Sequence, residues 1–155
     1  MDEGLREYIP ELMEQEERFL QENRPDMRTY SPLTLAFIGD AVFSLYIRTV
    51  VVAKGNTAPG KLHKRCSELV KASAQASMIR GIYGELTREE QDIYRRGRNA
   101  QASSRAKNAT MSEYRHATGL EALFGYLYLS GRGERMTELV EKCLEYQNGR
   151  DGHEI

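Results

Sequence analysis

The stretch from Ser31 to Lys54-Gly55-Asn56 restricts most strongly how this chain can fold. Serine followed by proline is typical of a helix N-cap and first turn, and no second proline interrupts the apolar run that follows. Apolar side chains fall on almost every face of a helix at 33–53, so no wide polar stripe remains. Such a helix has to be covered on several sides. The pattern therefore predicts a central core helix that also takes part in a dimer interface.

Length alone would let this segment cross a bilayer. Polar residues interrupt it, however, at Asp40, Ser44, Arg48 and Thr49. The acidic N-terminus lacks the apolar core of a signal peptide, and the two cysteines are far apart and outside any metal-ligand spacing. We therefore predict no membrane association, buried thiols in a reducing compartment, and a cytoplasmic location.

The remaining segments also carry helical patterns, and none reads as a convincing strand. They comprise an amphipathic helix at 3–22, a third helix at 61–83, helices that open on capping boxes at Thr87 and Thr110, and a last helix at about 134–146. At 155 residues the chain has the length of one domain. The prediction is an all-α bundle of about six or seven helices, with an N-terminal helical extension at 1–30, a folded domain at 31–147 and a disordered tail at 148–155.

Basic residues are concentrated in the middle of the chain. Positions 54–115 hold 13 Lys and Arg against 6 Asp and Glu, whereas the whole chain has a net charge of -1. Within this region the small, polar and basic segment at 97–108 is predicted to be a loop. A basic surface on an otherwise acidic protein indicates a polyanionic partner, although solvated helix faces give similar counts.

Two predicted helices each carry a single acid inside an apolar run, Asp40 in AFIGDAV and Glu121 in HATGLEALFGYLYL. Small residues flank both acids, which would let two backbones approach closely. If the helices cross, the two carboxylates can share one divalent cation, with the Thr118 hydroxyl or water completing an oxygen shell suited to Mg2+. The alternative is that each carboxylate pairs with a base such as Arg48 or Arg115, or with a helix end.

Longer motifs carry a family resemblance. LAFIGDAVFSLYIR resembles the signature helix of the ribonuclease III catalytic domain, and LEALFGYLYL resembles the second acidic helix of that family. LHKRCSELVKASAQ, RRGRNAQ, KNAT and YRHATGLEALFGYLYLSGR are similar to its short subgroup, Mini-ribonuclease III. The resemblance spans about 32–146 and implies the ribonuclease III helical bundle, with 31–147 as the catalytic domain.

The resemblance implies a magnesium-dependent endoribonuclease that cleaves double-stranded RNA and leaves 5′-phosphate ends. Asp40 and Glu121 are then the catalytic residues and the metal ligands, with Mn2+ able to replace Mg2+. Two of the four acids of the full-length enzymes fall here on Ala36 and Thr118, which implies weak metal binding and makes Thr118 a candidate for a supporting role around the metal. The implied partners are a second copy of the chain, which completes a valley for the duplex, precursor large-subunit (23S) ribosomal RNA, and a large-subunit ribosomal protein.

A separate double-stranded RNA-binding module does not fit in this length, so the domain itself is expected to contact RNA. Basic and amide side chains suit the phosphates and 2′-hydroxyls of duplex RNA. The predicted RNA-binding residues are Lys61, His63, Lys64, Lys71, Arg95, Arg98, Asn99, Lys107 and Asn108. Each can instead be an ordinary solvated side chain, and His63 can instead cap the third helix.

Two other functions stay open from the sequence. A catalytically silent protein of the same fold would bind double-stranded RNA in the same valley without cutting it. A helical interaction module would use the two carboxylates only for structure.

Overall fold

The computed structural model describes residues 26–100 and 110–151, together with positions 11, 12, 14, 15 and 18. These ranges contain six α-helices and no strand: α1 (Pro32–Ala53), α2 (Pro59–Val70), α3 (Ala72–Ile82), α4 (Arg88–Asn99), α5 (Met111–Leu129) and α6 (Gly133–Asp151). The all-α prediction is therefore confirmed. Most of the predicted N-terminal helix at 3–22, and of the extension at 1–30, lies outside the described residues.

Helix α1 contributes one side to the hydrophobic core, as its sequence predicts, although α5 packs against more of the other helices. The Ser31 hydroxyl caps it by accepting a hydrogen bond from the Thr34 N–H at 3.2 Å, and Pro32 stands in the first turn. Phe43 stacks on Phe124 of α5 with ring centroids 5.1 Å apart. This buried aromatic pair joins the two longest apolar runs of the chain into one core.

In the described ranges α1 is also the one helix that is long and apolar enough to cross a membrane. Half of its most apolar window is buried inside the fold, and a core helix passes the same test of length and composition. The burial agrees with the prediction of a core helix.

Glycines bring α1 and α5 into direct backbone contact. A β-carbon built on Gly39 would lie 1.7 Å from the carbonyl oxygen of Glu121, and one built on Gly125 would lie 1.9 Å from that of Leu35. Real β-carbons do not approach other atoms so closely, so this crossing requires glycine at both positions. It also brings Asp40, the neighbour of Gly39, to the turn of α5 that carries Glu121.

The prediction of one third helix at 61–83 is wrong. The segment forms two helices, α2 and α3, separated at Lys71, whose backbone is extended with ψ of 152°. Helix α2 packs on α1, whereas α3 packs on α5 and α6. The chain changes direction because its two halves cover different parts of the core, and no glycine or proline in the local sequence marks that change.

Both predicted capping boxes are confirmed. Thr87 and Glu90 cap the start of α4 reciprocally, each side chain bonding the backbone N–H of the other residue. Thr110 and Glu113 do the same for α5. These local signals place the two helix starts correctly because they depend on residues close together in the chain.

Two predicted helix ends are wrong. Helix α4 continues to Asn99, so the predicted loop at 97–108 begins too early, and its part from 101 lies outside the described residues. Gly97 stays helical and faces α5, where a β-carbon on it would lie 2.7 Å from the Ala122 β-carbon. Helix α6 continues beyond 146 to Asp151, so residues 148–151 of the predicted disordered tail are helical.

Candidate active site

Asp40 and Glu121 lie at the crossing of α1 and α5. Asp40 is exposed, whereas Glu121 is half-buried. Burial and the negative charge of Asp40 together raise the pKa of Glu121 to about 7, against the opposing effect of a hydrogen bond from Gln75. Two acids that are far apart in the chain are thus close enough for the charge of one to act on the other.

In the part of the chain that the structure describes, the two carboxylates have no ion-paired counter-charge. Arg48 and Arg115 are exposed, and neither Asp40 nor Glu121 forms an ion pair within residues 26–100 and 110–151. The alternative in which arginines neutralise both acids therefore finds no support among the described residues. Two like charges without a counter-charge make the ionised pair unfavourable, and a bound cation would relieve that repulsion.

The donor set at this site fits a hydrated magnesium ion. In the part of the chain that the structure describes, no three His, Cys, Asp or Glu side chains gather into a metal cage. Mg2+ usually keeps several waters and binds through one or two carboxylates, and hard carboxylate oxygens are what Asp40 and Glu121 offer. Two carboxylates are thus the number of protein ligands that such a hydrated ion commonly has.

The sequence prediction missed a glutamine that contacts Glu121. Gln75 of α3 is 2% exposed, and its Nε2 donates to Glu121 Oε1 at 3.0 Å and to the Val70 carbonyl oxygen at 2.8 Å. One signal could have indicated it, because Gln75 is the polar first member of a helical stripe that continues with the buried Met78 and Ile82. A polar residue on a buried stripe needs a partner, and here the partner is the candidate catalytic acid.

Comparison with known proteins gives the family. Residues 33–132 match the Ribonuclease III domain. A Mini-ribonuclease 3 from Thermoanaerobacter sp. (strain X514) is 53% identical over 115 residues, which cover 74% of this chain and 81% of that protein. This chain belongs to the ribonuclease III family, within its Mini-ribonuclease 3 group. A second Mini-ribonuclease 3, from Brevibacillus brevis, is 45% identical over 124 residues, covering 80% of this chain and 92% of that protein.

A solved structure shares this fold. The X-ray crystal structure of a protein from Fusobacterium nucleatum matches with a TM-score of 0.70 at 33% identity, covering 76% of this chain and 95% of that one. The match of residues 33–132 to the Ribonuclease III domain, together with this shared fold, confirms the predicted ribonuclease III-like bundle. As a member of this family the protein is an endoribonuclease that acts on double-stranded RNA, and the family generally depends on a divalent metal.

Two positions where the ribonuclease III resemblance places further acids hold other residues in this chain. Ala36 is buried and has no ligand atom in its side chain. Thr118, one turn of α5 before Glu121, is buried as well. Its hydroxyl donates a hydrogen bond to the Tyr114 carbonyl oxygen at 2.9 Å. The hydroxyl oxygen can still accept a hydrogen bond, so the supporting role of Thr118 around the metal stays a prediction.

Four candidates for RNA binding by this ribonuclease III domain lie on or beside α2. Lys61, His63 and Lys64 are exposed on the helix, and Lys71 is exposed at the break that follows it. The alternative that His63 caps the helix is wrong, because the N-cap residue is Ala58 and no side-chain cap bond is made there. The phosphate contact of these four residues stays a prediction.

The other candidates belong to α4 and the segment after it. Arg95 forms an ion pair with Asp92, and the Arg98 guanidinium lies 5.7 Å from the centroid of the Tyr94 ring while its Nε donates to Asn99 Oδ1 at 3.3 Å. Of this group, Arg98 is half-buried, and Arg95 and Asn99 are exposed. The two remaining candidates, Lys107 and Asn108, lie outside the described residues.

Proposed function

We propose that Asp40 and Glu121 hold Mg2+, or Mn2+ in its place, for the hydrolysis of phosphodiester bonds in double-stranded RNA. When bound, the ion supplies charge neutralisation at the scissile phosphate and a more acidic attacking water. Hydrolysis adds the water to phosphorus and breaks the bond to the 3′-oxygen, so the products carry 5′-phosphate and 3′-hydroxyl ends. The observation that supports this site is the action of the Asp40 charge on Glu121, with no ion-paired base among the described residues.

One experiment separates this function from its two alternatives. Purified protein is incubated with long duplex RNA in the presence of Mg2+ and then with an excess of EDTA. Cleavage that stops with the chelator supports the proposal. Retention of RNA without cleavage would support the catalytically silent RNA-binding protein. If the RNA is neither cut nor retained, the interaction module with structural carboxylates is the function that remains.

The raised pKa of Glu121 predicts a pH dependence for the metal-free protein. The folded state holds the Glu121 proton up to about pH 7, whereas the ordinary value is 4.5. The shifted pKa of Glu121 therefore stabilises the folded protein fully below pH 4.5, and this stabilisation is lost as pH rises through about 7. Between pH 4.5 and about 7, the wild-type Tm should fall relative to that of Glu121→Gln. At pH 8, added Mg2+ should restore the wild-type Tm. Parallel Tm curves for the two proteins would contradict the prediction.

We propose that the α2 surface, formed by Lys61, His63 and Lys64, and the neighbouring Lys71 contact the RNA backbone, together with Arg98 and Asn99 of α4. The side chains are exposed or half-buried, and the α2 group forms no ion pair within the described residues. Unpaired surface cations are available to displace counterions from phosphates, which is the main source of affinity for a duplex.

Replacing Lys64 with alanine is expected to weaken RNA binding uniformly across duplex sequences. The slope of log affinity against log salt should become shallower by about 1, because one phosphate contact is lost. Fluorescence anisotropy over a range of salt concentrations, without metal, measures both quantities. Lys142→Ala is a matched control, since this lysine is already paired with Glu85 at 2.9 Å. Equal slopes for the two variants would remove Lys64 from the contact surface.

We also propose that two copies of the chain pair through the exposed side of α1. Four large apolar residues lie exposed on this helix: Leu33 (37%), Phe37 (82%), Leu45 (47%) and Val52 (59%). An apolar row on the exposed side of a helix whose other side is buried needs a cover, and a second copy offers the same row for a symmetric interface. A duplex spans both subunits in this arrangement, so each subunit cuts one strand.

Replacing Phe37 with serine should weaken this dimer while leaving the monomer fold intact, because the ring is 82% exposed. Loss of a central aromatic anchor typically costs about 2 kcal/mol or more, which corresponds to a rise in Kd of about 30-fold. Analytical ultracentrifugation measures the dissociation constant. The control is Met111→Ser on α5, where the side chain is 46% exposed, and equal dimer stability in both variants would argue against α1 as the interface.

For the cellular role, we propose maturation of precursor large-subunit (23S) ribosomal RNA in the cytoplasm, aided by a large-subunit ribosomal protein that shapes the substrate. The Mini-ribonuclease 3 resemblance supports this role. A strain that lacks the protein should accumulate the 23S precursor, and Glu121→Gln should fail to process it. Normal maturation in that strain would contradict the role without affecting the chemistry proposed for the site.

A further inference from the structure

The side chain of Gln75 has one orientation that its surroundings permit. Its amide nitrogen donates two hydrogen bonds, to Glu121 Oε1 at 3.0 Å and to the Val70 carbonyl oxygen at 2.8 Å. If the carboxamide were rotated by half a turn, its oxygen would face these two acceptors instead. The contact with the carboxylate therefore fixes which way the carboxamide points.

The bond to Val70 comes from the break between α2 and α3. In a continuous helix the Val70 carbonyl would accept from the backbone N–H four residues later. The extended backbone at Lys71 ends the helix there, and the Gln75 side chain donates to that carbonyl. One carboxamide thus satisfies the end of α2 and holds Glu121 of α5 at the same time.

The carboxamide oxygen of Gln75 lowers the stability of the fold. Gln75 Oε1 is buried and has no hydrogen-bond partner among the described residues. An apolar side chain of similar size would avoid that unpaired oxygen, but it would leave the Val70 carbonyl oxygen and Glu121 Oε1 without this donor. The two groups that the amide nitrogen holds therefore account for glutamine at this position.

We propose that Gln75 is a positioning residue that holds Oε1 of Glu121 and leaves Oε2 of the same carboxylate for the divalent cation. The inference rests on the proposed function, because it concerns the same site. A fixed carboxylate presents its free oxygen in one direction, whereas an unrestrained one would lose rotational freedom on binding the ion. Gln75 does not itself touch the RNA or the ion.

The test compares Gln75→Met with Gln91→Met. Methionine keeps the length of the side chain and removes its donors. Gln91 is the matched control, because its Nε2 also donates to a backbone carbonyl, that of Tyr83 at 3.3 Å, and makes no bond to Glu121. Electron paramagnetic resonance measures Mn2+ binding to the protein without RNA, and cleavage assays give the Mg2+ concentration for half-maximal rate.

We expect Gln75→Met to weaken Mn2+ binding and to raise the half-maximal Mg2+ concentration, both by about 10- to 100-fold, the usual effect of losing a hydrogen-bond partner of a metal ligand. At saturating Mg2+ the rate should recover, and KM for RNA should stay at the wild-type value. Gln91→Met should match the wild type in all of these. Wild-type Mn2+ affinity in Gln75→Met would overturn the inference.

Two further variants make the result unambiguous. Gln75→Asn keeps the carboxamide on a chain one methylene shorter, which no longer reaches Glu121, and it takes the place of Gln75→Met if that variant does not fold. Glu121→Gln shows whether the metal site itself is assigned correctly. If Glu121→Gln binds Mn2+ and cleaves RNA like the wild type, the proposed function fails and the inference with it; if only the Gln75 variants behave like the wild type, the inference alone fails.

Discussion

Replacing Glu121 with glutamine is expected to reduce RNA cleavage by about 1,000-fold or more at saturating Mg2+, since even the hydrogen-bond partners of metal ligands contribute about 10- to 100-fold. Asp40→Asn should have an effect of the same order. Both changes remove one negative charge and keep the size of the side chain, so a hard cation loses half of its carboxylate donors. Single-turnover cleavage of a duplex RNA measures the rate without the effect of product release.

The fold and RNA binding should survive these two replacements. Burial and the charge of Asp40 both disfavour ionised Glu121, so a neutral glutamine relieves an unfavourable charge instead of breaking an ion pair. The control is Glu113→Gln on the same helix, because glutamine also completes the capping box with Thr110. Full activity in Glu121→Gln, or an equal loss in Glu113→Gln, would reject the assigned site.

Replacing Gly39 with alanine is expected to lower the free energy of unfolding by about 3 kcal/mol or more. The added β-carbon would lie 1.7 Å from the Glu121 carbonyl oxygen, and the obstacle is the backbone of α5, which cannot rotate away as a side chain can. Helix propensity favours alanine over glycine by only about 1 kcal/mol, so the clash decides the sign. Urea unfolding followed by circular dichroism gives the value.

A second consequence is functional. Alanine at Gly39 forces α1 and α5 apart, which moves Asp40 away from Glu121, so activity should fall even under conditions where the variant stays folded. Gly149→Ala in α6 is the control, because no atom of the described residues lies within 4 Å of the position of the added β-carbon. It should be neutral or slightly stabilising, by up to about 1 kcal/mol. A stable and active Gly39→Ala would show that the crossing is looser than the structure indicates.

Local patterns predicted much of the fold. The sequence predicts the cap at Ser31, the capping boxes at Thr87 and Thr110, and the apolar character of α1. Each of these features depends on residues within a turn or two of one another. The two acids stand out in the sequence because burying a lone carboxylate among apolar residues costs free energy. Local patterns do not predict whether the two acids lie close together, because that depends on how their helices cross. The ribonuclease III resemblance is the reason to expect it.

Other features gave no local signal, or gave a misleading one. Nothing near Lys71 breaks a helix by its chemistry, yet the chain turns there because α2 and α3 cover different helices. The sequence pattern assigns Gly97 to a loop, although it is a contact residue that lets α4 approach α5. In both cases the packing partner lies elsewhere in the chain, so neighbouring residues carry no record of it.

The sequence by itself determined the all-α class, most helix starts, and the presence of two isolated acids, because backbone hydrogen bonding and apolar periodicity are local properties. The tertiary structure alone decided that Asp40 acts on Glu121, that neither acid is ion-paired with an arginine among the described residues, and that Gln75 holds one oxygen of the carboxylate. Those relations depend on how closely α1, α3 and α5 approach, and that distance is set by glycines and side-chain volumes from distant parts of the chain.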